Sequence, residues 1–306
     1  MLPGGDAADA ADAADGADLE ALAVLEWHQV TVTGEASGSV AGAKRLDTLA
    51  AEVPVALVFN GVSHAVMMAT PQNLNAFALG FALSEGIVDS ASEVRGMDVV
   101  YVAAEKAGLP TGIDAVEVRL EVSSRSFERL KHQRRQMSGR TGCGVCGVES
   151  LMALDLHIEP LLSQPWITRV DRDVVLRAIN ALPSWQRLHA ACGAMHAAGW
   201  VSLQHSTGEI THVMEDIGRH NALDKLLGTL AQAGRLNDPG FVIMSSRASH
   251  ELVRKCARVG IKALATVSAP TAMGVRIADA AGLRLWGLCR PPKAILYTTG
   301  NLSKLE

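Results

Sequence analysis

Aromatic side chains are scarce in this chain. Phenylalanine, tyrosine and tryptophan make up 4% of its 306 residues, whereas apolar residues make up 48%. A core of this composition has to be mostly aliphatic, and the length is enough for one large or two moderate domains. No tract of positive charge is interleaved with aromatic residues, which argues against nucleic-acid binding. No run of eighteen apolar residues occurs, which argues against a membrane span.

Cysteine is also sparse. The chain has five cysteines, an odd number, and only two of them are close together in sequence. This argues against a secreted disulfide framework and favours a reducing compartment. The N-terminus lacks the basic and apolar regions of a secretory signal and is too acidic for a mitochondrial-type transit peptide. We therefore predict a cytoplasmic protein with neither a membrane nor a nucleic-acid partner.

The pattern along the chain divides it into four parts. Residues 1–20 carry six acidic residues and no basic one in an Ala-Asp repeat, which predicts a disordered acidic tail. Residues 21–125 are rich in strand-like segments and predict a smaller α+β unit, with an amphipathic helix over residues 71–83. Residues 126–164 are a basic segment followed by a glycine-rich stretch. Residues 165–306 alternate strands with helices and predict a three-layer α/β domain.

Two cysteines with the spacing CxxC, Cys143 and Cys146, lie among four glycines in residues 138–147. The glycines predict a mobile loop. Such a pair can be half of a structural zinc site, a redox-active dithiol, or a carrier of sulfur. A zinc site would need further ligands, for which Cys192 and His196 are candidates if they share a helix face.

We favour the sulfur carrier, because a persulfide has to move between a donor and an acceptor. The basic run from Arg125 to Arg140 precedes the loop and would raise the thiolate fraction of a nearby cysteine. The same run is equally consistent with a solvated helix face.

The densest polar cluster runs from Glu215 to Lys225. In a continuous helix, Asp216 and Asp224 would each share a face with His220. An imidazole between carboxylates can act as a proton shuttle or orient a reacting group. An exposed, charged helix end is the alternative, and the variety of functional groups favours a site.

Three polar segments each follow a predicted strand: Ser245–Glu251, Ser268–Thr271 and Leu288–Lys293. In open α/β sheets, ligands bind outside the carboxyl ends of the strands, and helix N-termini there suit anions. The sequence therefore predicts one crevice for a phosphate-bearing ligand, with charges from Arg219, Arg247 and Arg290. Cys256 and Cys289 are predicted to be packing residues.

Several of these segments, in this order, resemble the FdhD family of formate dehydrogenase accessory sulfurtransferases. The similarity extends from about Glu52 to Thr298. It is carried by the segments Val53–Gly61, Gly80–Gly86, Gly142–Gly147, Glu215–Lys225, Ser246–Arg247 and Ser268–Thr271.

The resemblance implies a sulfurtransferase that acts as a persulfide carrier. Sulfur would pass from a cysteine desulfurase to Cys143, with Cys146 as its partner in the loop. It would then pass to the bis-guanine-dinucleotide molybdenum cofactor before this cofactor enters the catalytic subunit of formate dehydrogenase, which needs it for activity. The rival hypothesis is a non-catalytic cofactor chaperone whose CxxC holds structural zinc.

The resemblance also implies a cofactor-binding segment, a fold and an assembly. The segment comprises Leu288, Cys289, Arg290, Pro291, Pro292 and Lys293, to which the polar clusters above add Arg219, His220 and Arg247. The larger domain should be similar to the cytidine deaminase fold, although the deaminase zinc signature is absent. A homodimer and no permanently bound metal are expected.

Overall fold

In the computed structural model, the described residues are 25–32, 43–110, 114–136, 158–204 and 208–301. The acidic tail and the cysteines Cys143 and Cys146 lie outside these ranges. The strands are β1 (Leu25–Val32), β2 (Ala43–Ala50), β3 (Val53–Phe59), β4 (Val62–Ala69), β5 (Val94–Val102), β6 (Ala115–Val122), β7 (His196–Ser202), β8 (Glu209–Asp216), β9 (Gly240–Met244), β10 (Ala263–Thr266), β11 (Arg284–Arg290) and β12 (Lys293–Thr299). The helices are α1 (Leu74–Ser84), α2 (Ala104–Ala107), α3 (Ser124–Gln136), α4 (Arg172–Ala181), α5 (Arg187–Cys192), α6 (Arg219–Gln232), α7 (His250–Arg258) and α8 (Ala272–Ala281).

The smaller unit is built on a four-stranded sheet with the order β4-β3-β6-β5, in which β3 and β6 are parallel. Its inner face is apolar, because alternate residues of β3 (Val55, Leu57 and Phe59) are fully buried. Helix α1 covers this face. The strands β1 and β2 form a separate antiparallel ribbon.

The larger unit is a six-stranded sheet with the order β12-β11-β10-β9-β7-β8. The three central strands β9, β10 and β11 are parallel, and the flanking strands run antiparallel to their neighbours. Helices α6, α7 and α8 pack on one face, and α4 packs on the other. In β9, Val242 and Met244 face the first layer, whereas Phe241 and Ile243 face the second. The predicted three-layer α/β architecture is therefore confirmed.

Helix α1 joins the two units by crossing α6. A side chain on Gly80 would overlap the carbonyl oxygen of Asp224, and one on Gly228 would overlap that of Ala76. The two backbones can approach this closely only because both contact positions are glycine. The prediction of an amphipathic helix is wrong, since every residue of α1 except Asn75 is buried. None of the helices in the described ranges is long and apolar enough to cross a membrane.

Candidate active site at the carboxyl edge of the sheet

The three polar segments predicted to form a crevice lie side by side. Because β9, β10 and β11 are parallel, their carboxyl ends meet at one edge of the sheet. The Ser268 amide donates to the Ser246 carbonyl over 3.3 Å, and the Leu288 amide donates to the Ser268 carbonyl over 3.1 Å. The row of strand ends is thus a continuous backbone-bonded surface.

Strands β7 and β8 bring the Glu215–Lys225 cluster to the same edge. The Ala197 amide donates to Ser245 Oγ over 2.9 Å, which places the start of β7 beside the end of β9. His196 pairs with Asp216 at the end of β8, and α6 begins three residues later at Arg219. Helices α7 and α8 also begin just after the ends of β9 and β10. Three helix N-termini therefore point toward this edge.

The edge carries positive charge at both ends. Arg247, Arg290 and Lys293 are exposed, and Arg219 is half-buried with an Nε atom that has no hydrogen-bond partner among the described residues. Cationic side chains combined with helix N-termini attract anions. The predicted phosphate-binding charges are thus distributed along one surface.

His220 lies at this edge as an uncharged group. Burial, with the Arg219 and Lys255 charges nearby, lowers its pKa from 6.5 to about 4, although Glu251 opposes this shift. Its buried Nε2 atom has no hydrogen-bond partner within the described ranges. At neutral pH, His220 can therefore donate or accept a hydrogen bond with a ligand, but it adds no positive charge to the edge.

The carboxylates predicted to flank His220 pair with buried lysines instead. Helix α6 begins only at Arg219, so the prediction that Asp216 and His220 share a helix face is wrong. Asp216 and Lys225 are fully buried and paired at 2.7 Å, and both contact the backbone of Thr70. Together they bind the end of β4 to α6, which is a structural role.

Asp224 belongs to a second buried network. Lys255 of α7 lies 2.8 Å from Asp224 of α6 and 2.8 Å from Glu85, while the Ser84 hydroxyl donates to Asp224 over 2.7 Å. Sequence reasoning missed Thr70, Ser84 and Lys255 as partners. Asp224 therefore fastens α1, α6 and α7 together.

Asp216 also sets the direction in which α6 begins. Its Oδ1 atom accepts from the Gly218 amide over 2.8 Å and from Asn221 Nδ2 over 3.0 Å. Asn221 Nδ2 donates in addition to the Met68 carbonyl over 2.8 Å. These bonds fix the turn that presents Arg219 to the edge.

The segment after β11 is split between the core and solvent. A bulge separates Gly287 from Arg290, and Leu288 has a left-handed φ of 52°, which is strained for a leucine. This turn sends Cys289 into the core and leaves Arg290 exposed. Burial raises the pKa of the Cys289 thiol to about 12, and that of Cys256 likewise, so both are packing residues as predicted.

The next two residues, Pro291 and Pro292, have no amide hydrogen to offer an anion. Contacts to phosphate in this turn are therefore left to the side chains of Arg290 and Lys293, both of which are exposed.

The zinc ligands considered from sequence do not share a helix face. Helix α5 ends at Cys192, whose Sγ donates to the Leu188 carbonyl, and Gly193 terminates it with a φ of 73°. His196 already belongs to β7, so the condition on which these two residues were candidates, a shared helix, is not met. Within the described ranges, no three His, Cys, Asp or Glu side chains are grouped as metal ligands. The zinc hypothesis for Cys143 and Cys146 concerns residues outside these ranges.

The basic run before the CxxC segment begins as helix α3. Arg129 is paired with Asp89 at 2.6 Å and donates to the Ile87 carbonyl, and Lys131 is paired with Glu128 at 2.6 Å. At these two positions the charge is neutralised locally, as expected of a solvated helix face.

A recess that the sequence did not predict adjoins the segment after β11. It has a volume of about 460 Å³ and is lined by Asp173, Leu176, Arg177, Asn180 and Pro291. The four α4 residues are spaced so that they lie on one side of the helix, the side that faces solvent. This helical spacing is the signal in the sequence from which the recess residues could have been predicted.

Comparison with known proteins assigns the chain to a family. Two curated relatives are named sulfur carrier protein FdhD. The one from Burkholderia cenocepacia is 49% identical over 253 residues, covering 83% of this chain and 88% of that protein. The one from Chromobacterium violaceum is 50% identical over 252 residues, covering 82% and 88%.

A solved structure, described as that of a formate dehydrogenase accessory protein from Desulfotalea psychrophila, has the same fold. It aligns with a TM-score of 0.65 and 19% identity over 90% of this chain and 97% of that one. The likeness to the cytidine deaminase fold is not tested by these comparisons and stays a prediction. A model of the FdhD/NarQ family matches residues 50–302, so this chain belongs to the FdhD/NarQ family.

Proposed function

We propose that this chain is a sulfur carrier in formate dehydrogenase maturation. It accepts sulfur from a cysteine desulfurase and passes it to the bis-guanine-dinucleotide molybdenum cofactor before the cofactor enters formate dehydrogenase. The names of the curated relatives support the sulfur-carrying role. The homodimer and the cytoplasmic location expected from the sequence stay predictions.

The positively charged edge of the six-stranded sheet is the observation that carries the proposal. The edge extends over five adjacent strands, from β8 to β11, which at the usual strand spacing is about 19 Å. Arg219 lies toward one end, Arg247 in the middle and Arg290 toward the other. A surface of this length and charge suits an elongated acceptor with several phosphate groups better than a compact substrate.

The first chemical step is a thiol exchange. The Cys143 thiolate attacks the outer sulfur of the desulfurase persulfide, the donor S–S bond breaks, and the donor cysteine leaves as a thiolate. Cys143 then carries the persulfide, and no net oxidation occurs.

The second step delivers this sulfur to the acceptor as sulfide, which takes two electrons. We assign them to Cys146. Its thiolate attacks Cys143 Sγ, the persulfide S–S bond breaks, and a disulfide between Cys143 and Cys146 forms as sulfide leaves for the acceptor. A reductant of the thiol class would then restore both thiols.

Labelled sulfur tests the first step. Purified protein is incubated with a cysteine desulfurase and labelled cysteine, and the label bound to protein is measured without reductant. We expect Cys143→Ala to lose nearly all label and the matched variant Cys146→Ala to retain it. Undiminished labelling of Cys143→Ala would rule out the assignment. Stoichiometric zinc in untagged protein that is lost in Cys146→Ala would support the chaperone hypothesis instead.

A further inference from the structure

We propose that Asn221 is a positioning residue of the acceptor site, through which the smaller unit sets the place of Arg219 on the charged edge. The inference rests on the proposed function, because Arg219 is one of the cations assigned to the acceptor. It adds a contact from β4, a strand outside the larger sheet, to the parts that the site needs.

The side chain of Asn221 bridges β4 and the end of β8. It is 3% exposed, and its Nδ2 atom donates to the Met68 carbonyl over 2.8 Å and to Asp216 Oδ1 over 3.0 Å. Both partners are acceptors, so the amide nitrogen has to face them, and its two hydrogens are used once each. The donors of this side chain therefore match two acceptors on different elements.

The carboxylate that accepts from Asn221 is itself held in place. The Thr70 amide donates to Asp216 Oδ2 over 3.1 Å, and Lys225 Nζ lies 2.7 Å from the same oxygen. The Thr70 hydroxyl also accepts from the Ile217 amide over 3.3 Å. The end of β4 thus holds the turn between β8 and α6, and Asn221 extends this hold to the first turn of the helix.

Arg219 faces away from Asn221. Successive residues of a helix are about 100° apart around its axis, so Arg219 lies about 200° from Asn221. With Asn221 turned inward to β4, Arg219 is turned to the edge, where it is half-buried. Its Nε atom has no hydrogen-bond partner among the described residues, so the place of the guanidinium depends on the rotation of the helix that carries it.

Gly218 leaves the space that Asn221 occupies. A methyl group on Gly218 would lie 2.8 Å from Asn221 Nδ2, which is too close for the asparagine to stay where it is. Gly218→Ala should therefore displace the side chain of Asn221 without removing it. This substitution disturbs the same contact in a second, independent way.

The position of Arg219 can be measured at His220 without any ligand. Burial is the main cause of the lowered pKa of His220, and the Arg219 and Lys255 charges lower it further, whereas Glu251 and Glu85 oppose them. If Arg219 moves away, its share of this effect is lost, and the pKa of His220 should rise.

His196 provides the same measurement from a second strand. It pairs with Asp216 at the end of β8, and its pKa is lowered by burial first and then by the Arg219 and His189 charges, whereas Asp216 opposes them. Displacement of Arg219 should therefore raise the pKa of His196 as well.

Guanosine diphosphate, which carries the diphosphate of the proposed acceptor, tests the positioning on the full-length protein. In equilibrium dialysis, Arg219→Ala should weaken its binding about tenfold, as expected for the loss of one charge-assisted contact. Asn221→Ala and Gly218→Ala should each weaken it by a similar factor. Asn221→Ala should cause little further loss when it is combined with Arg219→Ala, since both changes act through one guanidinium.

NMR titration of the histidines gives the second result. Asn221→Ala and Gly218→Ala should each raise the pKa values of His220 and His196, as Arg219→Ala does. This signature reports where the charge of Arg219 lies, which a uniform loss of stability would not change.

Ser84→Ala is the matched control. It removes another buried hydrogen bond to α6, the one that Ser84 donates to Asp224 over 2.7 Å, further along the helix from Arg219. This variant should lower the free energy of unfolding and leave both the affinity for guanosine diphosphate and the two imidazole pKa values unchanged.

Unchanged affinity in Asn221→Ala, losses that add in full to that of Arg219→Ala, or unchanged pKa values of both imidazoles would overturn the inference. If the unaltered chain bound no guanosine diphosphate, the proposed acceptor would be contradicted, and the two pKa values would still decide whether Asn221 holds Arg219. Labelling of Cys143 by the desulfurase should be the same in all of these variants.

Discussion

Lys225 and Lys255 carry two positive charges into the interior around α6, where both side chains are almost completely buried. Burial disfavours the charged form of each lysine. At Lys225 this effect exceeds the attraction of Asp216, and the pKa is lowered. At Lys255, Asp224 and Glu85 together outweigh burial, and the pKa is raised. An unpaired charge at either position would be strongly destabilising, so Asp216 and Asp224 are needed as partners of the two lysines for the chain to fold.

His220 gives the molecule a pH-dependent stability that can be measured. Its pKa of about 4 in the folded protein lies below the ordinary value of 6.5. Between these values the unfolded chain binds a proton at this histidine that the folded chain does not bind. The free energy of unfolding therefore falls as the pH drops through this window, and the contribution of His220 is fully present above it. Urea unfolding between pH 7.5 and 4.5 should therefore show a shallower loss of stability for His220→Gln than for the unaltered chain.

The comparison between variants isolates this histidine. His196 and His212 also have lowered pKa values and act in the same direction, whereas Glu85, whose pKa is lowered from 4.5 to about 2, loses its contribution only below about pH 4.5. Parallel profiles for His220→Gln and the unaltered chain would contradict the prediction.

At the scale of elements, the crossing of α1 and α6 joins the two halves of the fold. Gly80 and Gly228 allow the backbones to touch, and this proximity brings Ser84 to Asp224. The buried ion pairs and the helix contact thus depend on each other. Helix α6 begins at the edge where Arg219 lies, so the crossing also positions the site.

Gly228→Ala tests the helix crossing, because a close crossing and an ordinary helix predict opposite signs for its effect on the free energy of unfolding. In the interior of an ordinary helix, alanine is about 1 kcal/mol more favourable than glycine. Here the added methyl would overlap the carbonyl of Ala76, and forcing the helices apart should cost about 1–3 kcal/mol. Denaturant unfolding should show destabilisation, and Gly80→Ala, the reciprocal change, should behave alike. Stabilisation by Gly228→Ala would show that the helices can separate freely.

At the scale of the whole molecule, the proposed sulfur loading and the proposed acceptor binding belong to different parts of the chain. The proposed sulfur-carrying cysteines lie between the two units in sequence, whereas the proposed acceptor site is the carboxyl edge of the larger sheet. The two steps of the proposed function should therefore respond to different substitutions.

The double variant Arg247→Ala, Arg290→Ala is expected to separate the steps. It removes two exposed cations from the edge and should weaken binding of guanosine diphosphate about tenfold or more, while labelling of Cys143 by the desulfurase is unchanged. Arg95→Ala, an exposed substitution on β5, controls for net charge and should affect neither measurement. Equal loss of both steps would show that they share one surface.

Local patterns in the sequence were sufficient to predict the three-layer domain and its polar strand ends. An apolar run such as Phe241–Met244, followed by polar residues at which a helix begins, is compatible with few arrangements other than a buried strand and a covering helix. The carboxyl edge with Arg247 and Arg290 follows from this pattern, since parallel strands end together. The same reasoning failed at Asp216 and at Cys192, because the ends of β8 and α5 depend on bonds and turns that residue spacing does not show.

The sequence by itself determined the architecture, the family resemblance and the row of charges at the sheet edge. Each is encoded in neighbouring residues or in the order of short segments. Only the tertiary structure decided that Asp216 and Asp224 are structural, that His220 is uncharged, and that α4 contributes a recess beside Pro291. These roles depend on burial and on partners distant in sequence, such as Thr70 and Lys255, and desolvation acts only once the chain has folded.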